Sequence, residues 1–324
     1  MALTSTPESR FADLPDYPYA PTYVDVGGPE MAYVDVANED SSDETFLCLH
    51  GEPTWGFLYR KMIPALSEVG RVVVPDFVGF GRSDKYTTLE EYSFDLFYET
   101  LTAFIERLDL TNVTLVCQDW GGVIGLPVAL LEHPERFARL VPMNTGTPTG
   151  KRGMIDAWWG FRDYMLHTED PDISSVIEAV GDFEWYHECE EQPEPWTAPV
   201  ENGEVGLDLP EDVQAAYDAP FHSPESKAGA RRWPSLVPTD PDMAGAETGQ
   251  RAVAALQEWE KPAFVLFSDE DPITHATRDV YRSLIPSAED QPDVWIEGAG
   301  HFLQEEAGED VAEWIVDFVG RTKP

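Results

Sequence analysis

The stretch Val113–Gly122, which reads VTLVCQDWGG, constrains the fold of this chain more than any other. An apolar run typical of a buried strand leads into Asp119, and a helical pattern follows it. The residues two positions before and two positions after Asp119 are Cys117 and Gly121, both small. A nucleophile held in a strained strand-to-helix turn needs small residues at these positions, because strand and helix approach closely there. The sequence therefore predicts that Asp119 is a nucleophile at the end of a buried strand.

A carboxylate in this position limits the class of reaction. Attack on an ester would give an anhydride, whereas displacement of a leaving group from a tetrahedral carbon gives an alkyl ester of the enzyme. Hydrolysis of that ester requires a general base that activates water, and N–H donors that stabilise charge on the carboxylate oxygen. A chain that uses Asp119 in this way must carry both.

A candidate base follows the last predicted strand. His301 lies in a Gly-Ala-Gly-His-Phe segment, where a loop can present an imidazole above a sheet. Asp271, in a Ser-Asp-Glu-Asp-Pro segment, is the candidate that orients His301, and Asp269 and Glu270 are its rivals. Each motif alone also fits a structural role, as a helix cap, a turn or a solvated loop. The order nucleophile, acid, histidine, each after a predicted strand, matches the α/β-hydrolase order and favours catalysis.

The donors are predicted in the loop His50-Gly51-Glu52-Pro53, which directly follows the predicted strand Thr45–Leu49. In that fold this loop supplies one backbone N–H of the oxyanion hole, here from Glu52, and the residue after the nucleophile, Trp120, supplies the other. The role of the Glu52 side chain stays open. His50 is predicted to be structural in its loop, and the remaining histidines are assigned to the surface or to an inserted segment.

Short apolar runs alternate with helical patterns along the chain, which is typical of an α/β protein with a mostly parallel sheet. The predicted strands are Met31–Val36, Thr45–Leu49, Val72–Pro75, Val113–Cys117, Leu140–Met143, Ala263–Phe267 and Val294–Glu297. The predicted helices are Leu96–Leu108, Val123–Leu131 and Val311–Val319. Residues 146–238, rich in Trp, Tyr and Pro, interrupt this pattern and are predicted to form a helical cap between core segments 1–145 and 239–324. Within the cap, Glu188–Gly206 is expected to be irregular.

Composition excludes several classes of partner. The 324 residues include 61 acidic and 21 basic side chains, a formal net charge of −40, so neither nucleic acid nor an anionic membrane surface is expected to bind.

Only six of the basic residues are Lys, and the acidic residues are spread along the chain, which indicates a halophile whose cytoplasm is salty. Three cysteines at no metal-like spacing, and an N-terminus without a targeting pattern, predict a cytoplasmic protein.

The sequence resembles the haloalkane dehalogenases, in particular the subfamily whose loop reads His-Gly-Glu-Pro-Thr-Trp, as residues 50–55 do here. The resemblance is carried by Thr6–Val24, Phe46–Pro64, Pro75–Lys85, Gln118–Gly122, Tyr217–Pro234 and Gly298–Glu305. It implies that Asp119 attacks the halogen-bearing carbon of a small haloalkane, that His301 activates water and that Asp271 supports His301. The implied products are an alcohol, a halide ion and a proton, and neither a cofactor nor a metal is expected.

The same resemblance implies two N–H donors for the departing halide, usually indoles. Trp120 matches the first donor. At the alignment position of the second, a cap tryptophan followed by Arg, this chain has Phe161, which offers no N–H. Either Trp158 or Trp159 takes that role, or halide is held more weakly; packing of a cap helix is the alternative explanation for each of them.

Two other functions stay open at this point. An epoxide hydrolase also uses an Asp nucleophile, but needs acidic hydroxyls that protonate the epoxide oxygen, and the cap region contains Tyr164, Tyr186 and Tyr217. The Trp120 position and the Glu52-Pro53-Thr54-Trp55 loop resemble the dehalogenases more closely. A non-catalytic ligand receptor on the same scaffold is the third possibility, although no member of the catalytic set is missing. Oligomeric state and the preferred haloalkane are not predicted.

Overall fold

The central element is a sheet of six strands. It appears in a computed structural model that describes residues 3–37, 43–154, 156–180 and 207–322. The strands are β2 (Thr22–Asp25), β3 (Glu30–Val36), β4 (Thr45–Leu49), β5 (Arg71–Pro75), β7 (Val113–Gln118) and β8 (Phe137–Met143). Their order in the sheet is β2, β3, β5, β4, β7, β8. The pairs β2–β3 and β3–β5 are antiparallel, and the other three pairs are parallel. Outside this sheet, β1 (Leu3–Thr4) pairs antiparallel with β6 (Lys85–Tyr86).

The chain extends the sheet beyond β8. The backbone of Ala263 forms a parallel bridge with Leu140, and the N–H of Leu266 donates to the carbonyl oxygen of Pro142 at 3.1 Å. Two short parallel strands follow, β9 (Phe267–Ser268) and β10 (Trp295–Ile296). The predicted strand Ala263–Phe267 is therefore shorter as regular structure than its apolar pattern indicates, but it runs along the expected edge of the sheet.

The described part of the chain contains ten α-helices. They are α1 (Ile63–Ser67), α2 (Phe94–Arg107), α3 (Trp120–Leu131), α4 (Asp156–His167), α5 (Ile173–Val180), α6 (Glu211–Asp218), α7 (Ala228–Arg232), α8 (Ala246–Gln257), α9 (Arg278–Leu284) and α10 (Leu303–Arg321). The three predicted helices correspond to α2, α3 and α10. The predicted helices begin later than α3 and α10 do, because the apolar pattern does not extend through the first residues of either helix.

Burial explains why the central strands read as continuous apolar runs. Every residue of β4 and of β7 is buried, since helices cover both faces of the sheet. Helix α2 shows how a surface helix is fixed against it: Ser93 caps the helix by accepting a hydrogen bond from the N–H of Leu96 at 3.1 Å. Its apolar side chains Phe97, Leu101 and Phe104, spaced three to four residues apart, are fully buried.

The described residues of the predicted cap, 146–154, 156–180 and 207–238, contain helices α4 to α7 and no strand. The division of the chain at residues 146 and 238 stays a prediction. The irregular segment predicted at Glu188–Gly206 lies outside the described residues, as do Cys189 and Tyr186, while Cys48 and Cys117 are free and buried. None of the helices in the described ranges has the length and apolar character that a bilayer crossing requires.

Candidate active site

Asp119 occupies a strained turn between β7 and α3. Its backbone has φ 49° and ψ −122°, a conformation that residues with a side chain rarely adopt. The turn requires a glycine two residues later: a Cβ atom on Gly121 would lie 2.1 Å from the carbonyl oxygen of Leu49 at the end of β4. The geometry is that of the predicted elbow, and the small residue at 121 is there because helix and neighbouring strand touch.

Hydrogen bonds fix the Asp119 backbone and carboxylate. Its N–H donates to the carbonyl oxygen of Asn144 at 3.0 Å, and its own carbonyl oxygen accepts from the hydroxyl of Thr145 at 2.6 Å. The backbone N–H of Glu52 donates to Oδ1 of Asp119 at 2.7 Å. Gly51 permits this contact, since a Cβ atom there would lie 2.3 Å from the same oxygen. Because β4 and β7 are parallel neighbours, their carboxyl ends bring the loop and the nucleophile together.

His301 lies between the two predicted carboxylates. Its Nε2 is 3.5 Å from Oδ2 of Asp119, and its Nδ1 is 3.0 Å from Oδ1 of Asp271. Burial lowers the pKa of His301, but the carboxylates of Asp271 and Asp119 outweigh burial and raise the pKa to about 10. With Nδ1 donating to Asp271, the Nε2 atom is the one that faces the nucleophile.

Asp271 is distinguished from its two rivals by its partners. It is fully buried, and besides His301 it accepts hydrogen bonds from the N–H of Ile273 at 2.9 Å and from the hydroxyl of Thr274. Burial would raise the pKa of Asp271, but these donors, His301 first among them, lower it. Asp269 instead accepts from the N–H of Gly298 at 2.7 Å, and Glu270 makes a backbone hydrogen bond to Ala299. The structure places Asp271 beside His301 and the rivals elsewhere.

Glu52, Asp119, Trp120 and His301 line a cavity of about 640 Å³ with mainly apolar walls, and Asp271 is not among its lining residues. Of the three candidates for the second halide donor, Trp158 and Phe161 line the cavity, whereas Trp159 is not among its lining residues. The Trp120 ring stacks on that of Trp233, with ring centroids 5.2 Å apart and planes inclined by 10°.

His50 has a structural position, as its loop predicts. Its Nε2 accepts a hydrogen bond from the N–H of Phe77 at 3.0 Å, and its Nδ1 lies 3.1 Å from the carbonyl oxygen of Gly51. Burial lowers the pKa of His50 to about 4, so the ring is neutral and its two contacts fix the loop that carries Glu52.

Three contacts at the site were not predicted from the sequence. The amide Nε2 of Gln118 lies 3.2 Å from both Nε2 and the carbonyl oxygen of His301. The second is the stacking of Trp233 on Trp120. The third is a buried network in which Arg60 donates to Glu305 at 2.7 Å and Tyr217 donates to the same carboxylate at 2.7 Å. Gln118, directly before the nucleophile, was the one that position alone could have indicated.

Fold and site together define an α/β hydrolase. The family described as the alpha/beta hydrolase fold matches residues 44–308. The chain is 39% identical to a haloalkane dehalogenase of Psychrobacter cryohalolentis and 36% identical to one of Mycolicibacterium paratuberculosis, with 98% of each chain covered in both alignments. This chain belongs to the haloalkane dehalogenase family. The tetrameric haloalkane dehalogenase DpaA from Paraglaciecola agarilytica has a similar structure, with a TM-score of 0.83, 36% identity and 97% of each chain covered.

Proposed function

We propose that this chain hydrolyses small haloalkanes to an alcohol, a halide ion and a proton. The observation that carries the proposal is the carboxylate of Asp119 on its strained turn, 3.5 Å from the Nε2 of His301 and facing a mainly apolar cavity. One Asp119 oxygen attacks the carbon that bears the halogen, the carbon–halogen bond breaks, and an alkyl ester and a free halide result. The apolar wall accommodates the alkyl group and excludes bulk water from the nucleophile.

The second step is hydrolysis of the ester. His301 takes a proton from water through Nε2, and the resulting hydroxide adds to the ester carbonyl carbon of Asp119. The N–H of Glu52, 2.7 Å from Oδ1, stabilises the negative charge that develops on that oxygen. We assign the second such donor to the N–H of Trp120. Collapse of the intermediate releases the alcohol, which carries the Asp119 oxygen that attacked the substrate, and the restored carboxylate retains the oxygen from water. The proton that His301 took from water is then released to solvent.

The two steps are linked through charge. In the free enzyme the carboxylate of Asp119 helps to raise the pKa of His301 to about 10, which favours the protonated imidazole. Alkylation converts Asp119 into a neutral ester and removes that contribution, so the pKa of His301 falls when a base is needed. Asp271 retains its charge and keeps Nε2 directed at the ester.

The tyrosines of the described chain do not favour epoxide hydrolysis. Tyr217 is buried, donates to Glu305 and does not line the cavity, and neither does Tyr164. Tyr281 does line it, but its hydroxyl lies 2.5 Å from that of Thr147, and burial raises the pKa of Tyr281, which makes it a poorer acid. Tyr186 lies outside the described residues.

The test compares two substrates on the same purified protein in buffer of high salt. We expect bromide release from 1,2-dibromoethane and no diol from styrene oxide. The Asp119→Ala variant should release no bromide, while Asp269→Ala, which removes an acid of the neighbouring loop, should retain turnover. Diol formation without bromide release would show that the chain is an epoxide hydrolase. Bromide release by Asp119→Ala at the wild-type rate would contradict the assignment of the nucleophile.

We also propose residues 146–238 as a cap over a core formed by 1–145 and 239–324. Helices α4 and α5 support this division, because Trp158, Phe161 and Val180 line the same cavity as Asp119 and His301. The free, buried thiols of Cys48 and Cys117 support the further inference that the enzyme acts in the cytoplasm.

A further inference from the structure

Two consecutive cationic residues, Lys151 and Arg152, line the active-site cavity, and both are exposed. The acidic and other basic side chains of the described lining are Glu52, Asp119 and His301, all of which belong to the catalytic end. The formal net charge of the chain is −40, so an anion is repelled by the molecule as a whole. This part of the cavity wall has the opposite sign.

Lys151 differs from the other lysines that the structure describes. Each of the other four donates a hydrogen bond to a carboxylate or to a carbonyl oxygen: Lys61, Lys85, Lys227 and Lys261. Within the described ranges, neither Lys151 nor Arg152 has an ion pair or a hydrogen bond from its side chain. Their charged groups are therefore free to bind an anion that enters the cavity.

The loop that leads to these two cations is held in place. Gly150 has φ 71°, and a Cβ atom there would overlap the carbonyl group of Asp240, so this position requires glycine. The amide Nε2 of Gln250, in helix α8, donates to the carbonyl oxygen of Thr149 at 3.0 Å. The backbone before Lys151 is thus fixed before any ligand binds, which reduces the entropy that binding costs.

The rest of the cavity suits an alkyl chain. Its walls are mainly apolar and include Trp158, Val253 and Val280. Its volume of about 640 Å³ lies in the range of pockets that hold drug-sized ligands, roughly 300–1,000 Å³. A haloalkane of two carbons fills only a small part of such a space. A ligand that fills it can contact Asp119 at one end and the two cations at the other.

We propose that Lys151 and Arg152 bind the carboxylate of an ω-haloalkanoate, a substrate with a halogen at one end of an alkyl chain and a carboxylate at the other. The inference rests on the proposed function and names its substrate class. Asp119 attacks the halogen-bearing carbon, the carbon–halogen bond breaks, and hydrolysis of the ester gives the ω-hydroxyalkanoate, a halide ion and a proton. The substrate carboxylate does not react; it accepts hydrogen bonds from the ammonium and guanidinium groups.

The test compares 6-bromohexanoate with its neutral analogue 6-bromohexanamide, by steady-state bromide release. In the double variant Lys151→Gln/Arg152→Gln, kcat/KM for the carboxylate should fall about tenfold through KM, because each exposed ion pair contributes a factor of up to about five. For the amide, kcat/KM should change less than about twofold. The control Arg107→Gln/Arg251→Gln removes the same charge from exposed positions outside the cavity lining and should leave both substrates within about twofold of wild type.

Salt gives a second readout. The difference between wild type and Lys151→Gln/Arg152→Gln for 6-bromohexanoate should shrink as salt rises from about 0.15 M to about 1 M, since the Debye length falls from about 8 Å to about 3 Å. Rates for the amide under the same conditions correct for any effect of salt on the folded fraction. A difference that salt does not reduce would show that the two side chains act through shape and would overturn the proposal.

The kinetic outcomes are decisive in both directions. Equal losses of kcat/KM for the carboxylate and the amide would show that Lys151 and Arg152 act on a step common to all substrates, such as halide release, and would overturn the proposal. The same conclusion would follow if 6-bromohexanoate were turned over equally well by wild type and by Lys151→Gln/Arg152→Gln, or if wild type consumed only the amide.

Hexanoate, which has no leaving group, separates this inference from the proposed function. Calorimetry should give a Kd for hexanoate about tenfold higher in Lys151→Gln/Arg152→Gln than in wild type. That binding result without bromide release from any bromoalkane would refute the proposed function and support the anion site. Bromide release from 1,2-dibromoethane, with hexanoate binding equal in the two proteins, would refute the anion site alone.

Discussion

The Nδ1 atom of His301 lies 3.0 Å from Oδ1 of Asp271, and neither side chain is more than 1% exposed. Asp271 is in turn held by the N–H of Ile273 and the hydroxyl of Thr274, so its orientation does not depend on His301. An imidazole that donates through Nδ1 to a fixed carboxylate presents Nε2 in one direction only. This pair sets the geometry of the proposed base before any substrate binds.

Replacement of Asp271 by Asn should lower kcat for bromoalkanes by about 10²- to 10⁴-fold, because the amide no longer fixes the useful tautomer of His301. The isosteric change Asp269→Asn in the same loop preserves an oxygen for the N–H of Gly298 and should change kcat less than about threefold. Steady-state bromide release measures both. Equal losses in the two variants would contradict the assignment of Asp271.

His301→Ala should stop the reaction after the first step, since alkylation needs only the Asp119 carboxylate while hydrolysis needs a base. With 1-bromobutane, intact-protein mass spectrometry should show a butyl adduct, and peptide mapping should place it on Asp119. His275→Ala, which alters a histidine stacked on Trp295 away from the cavity, should show turnover and no adduct. Absence of the adduct from His301→Ala, with a substrate that wild type consumes, would argue against His301 as the base.

The free energy of unfolding should depend on pH through His301. Its pKa rises from 6.5 in the unfolded chain to about 10 in the folded one, so the stabilisation is fully present below pH 6.5 and is lost as pH rises through about 10. Lys85 acts in the opposite sense, because burial lowers its pKa to about 7 and stability then rises with pH above that value. The comparison is therefore between wild type and His301→Gln.

Urea denaturation at pH 6.5, 8.5 and 10.5 should show that the stability advantage of wild type over His301→Gln decreases toward alkaline pH. The contribution of Lys85 is the same in both proteins and cancels. A constant difference across this range would mean that His301 titrates alike in the folded and unfolded states.

Gly121→Ala should destabilise the fold by about 3 kcal/mol, since the added methyl group would overlap the backbone carbonyl of Leu49, which cannot rotate away. Gly320 offers the matched control: a Cβ atom there meets nothing within 4 Å, and the residue lies in helix α10. Gly320→Ala should be neutral or stabilise by about 0.5–1 kcal/mol. Denaturant titration of the two variants checks both values, and equal stabilities would contradict the close packing of α3 on β4.

Stability and activity should both rise with salt, because the formal charge of −40 opposes compaction of the chain and only the compact state is active. Screening saturates when the Debye length falls to about 3 Å near 1 M, so the midpoint of thermal unfolding should climb steeply at low salt and then level off. A linear rise without a plateau would indicate exclusion of the salt from the protein surface instead of screening. Maximal activity in dilute buffer would refute the expectation.

The arrangement of the proposed catalytic residues was largely predictable, because each of them has a local signal in the sequence. The small residues around Asp119 reflect a contact between a strand and the following helix, and the strand before Glu52 reads as a buried run. Parallel strands then align these loops at one edge of the sheet. The sequence favoured Asp271 but separated it only weakly from Asp269 and Glu270, since the distinction depends on which carboxylate lies beside Nδ1 of His301.

Other contacts could be identified only in the folded chain, because the residues that form them are far apart in sequence. Trp233 stacks on Trp120 across 113 positions, and Tyr217 reaches Glu305 across 88, a separation that no local pattern encodes. The strand predicted at Ala263–Phe267 was overextended for a related reason. An apolar run reports burial, whereas regular pairing also needs a neighbour with matching direction and register.

The carboxylate of Glu305 has a consequence for exchanging parts between relatives. The carboxylate accepts a hydrogen bond from Arg60, which follows the loop that carries Glu52, and another from Tyr217, which lies in the proposed cap. Glu305 itself lies four residues after His301 in the sequence. A cap transplanted from another enzyme would therefore change a hydrogen bond to Glu305, four residues after the proposed base, if it lacked the hydroxyl of Tyr217, even if every cavity residue were retained. Chimeras of this enzyme should be designed with position 217 treated as part of the catalytic core.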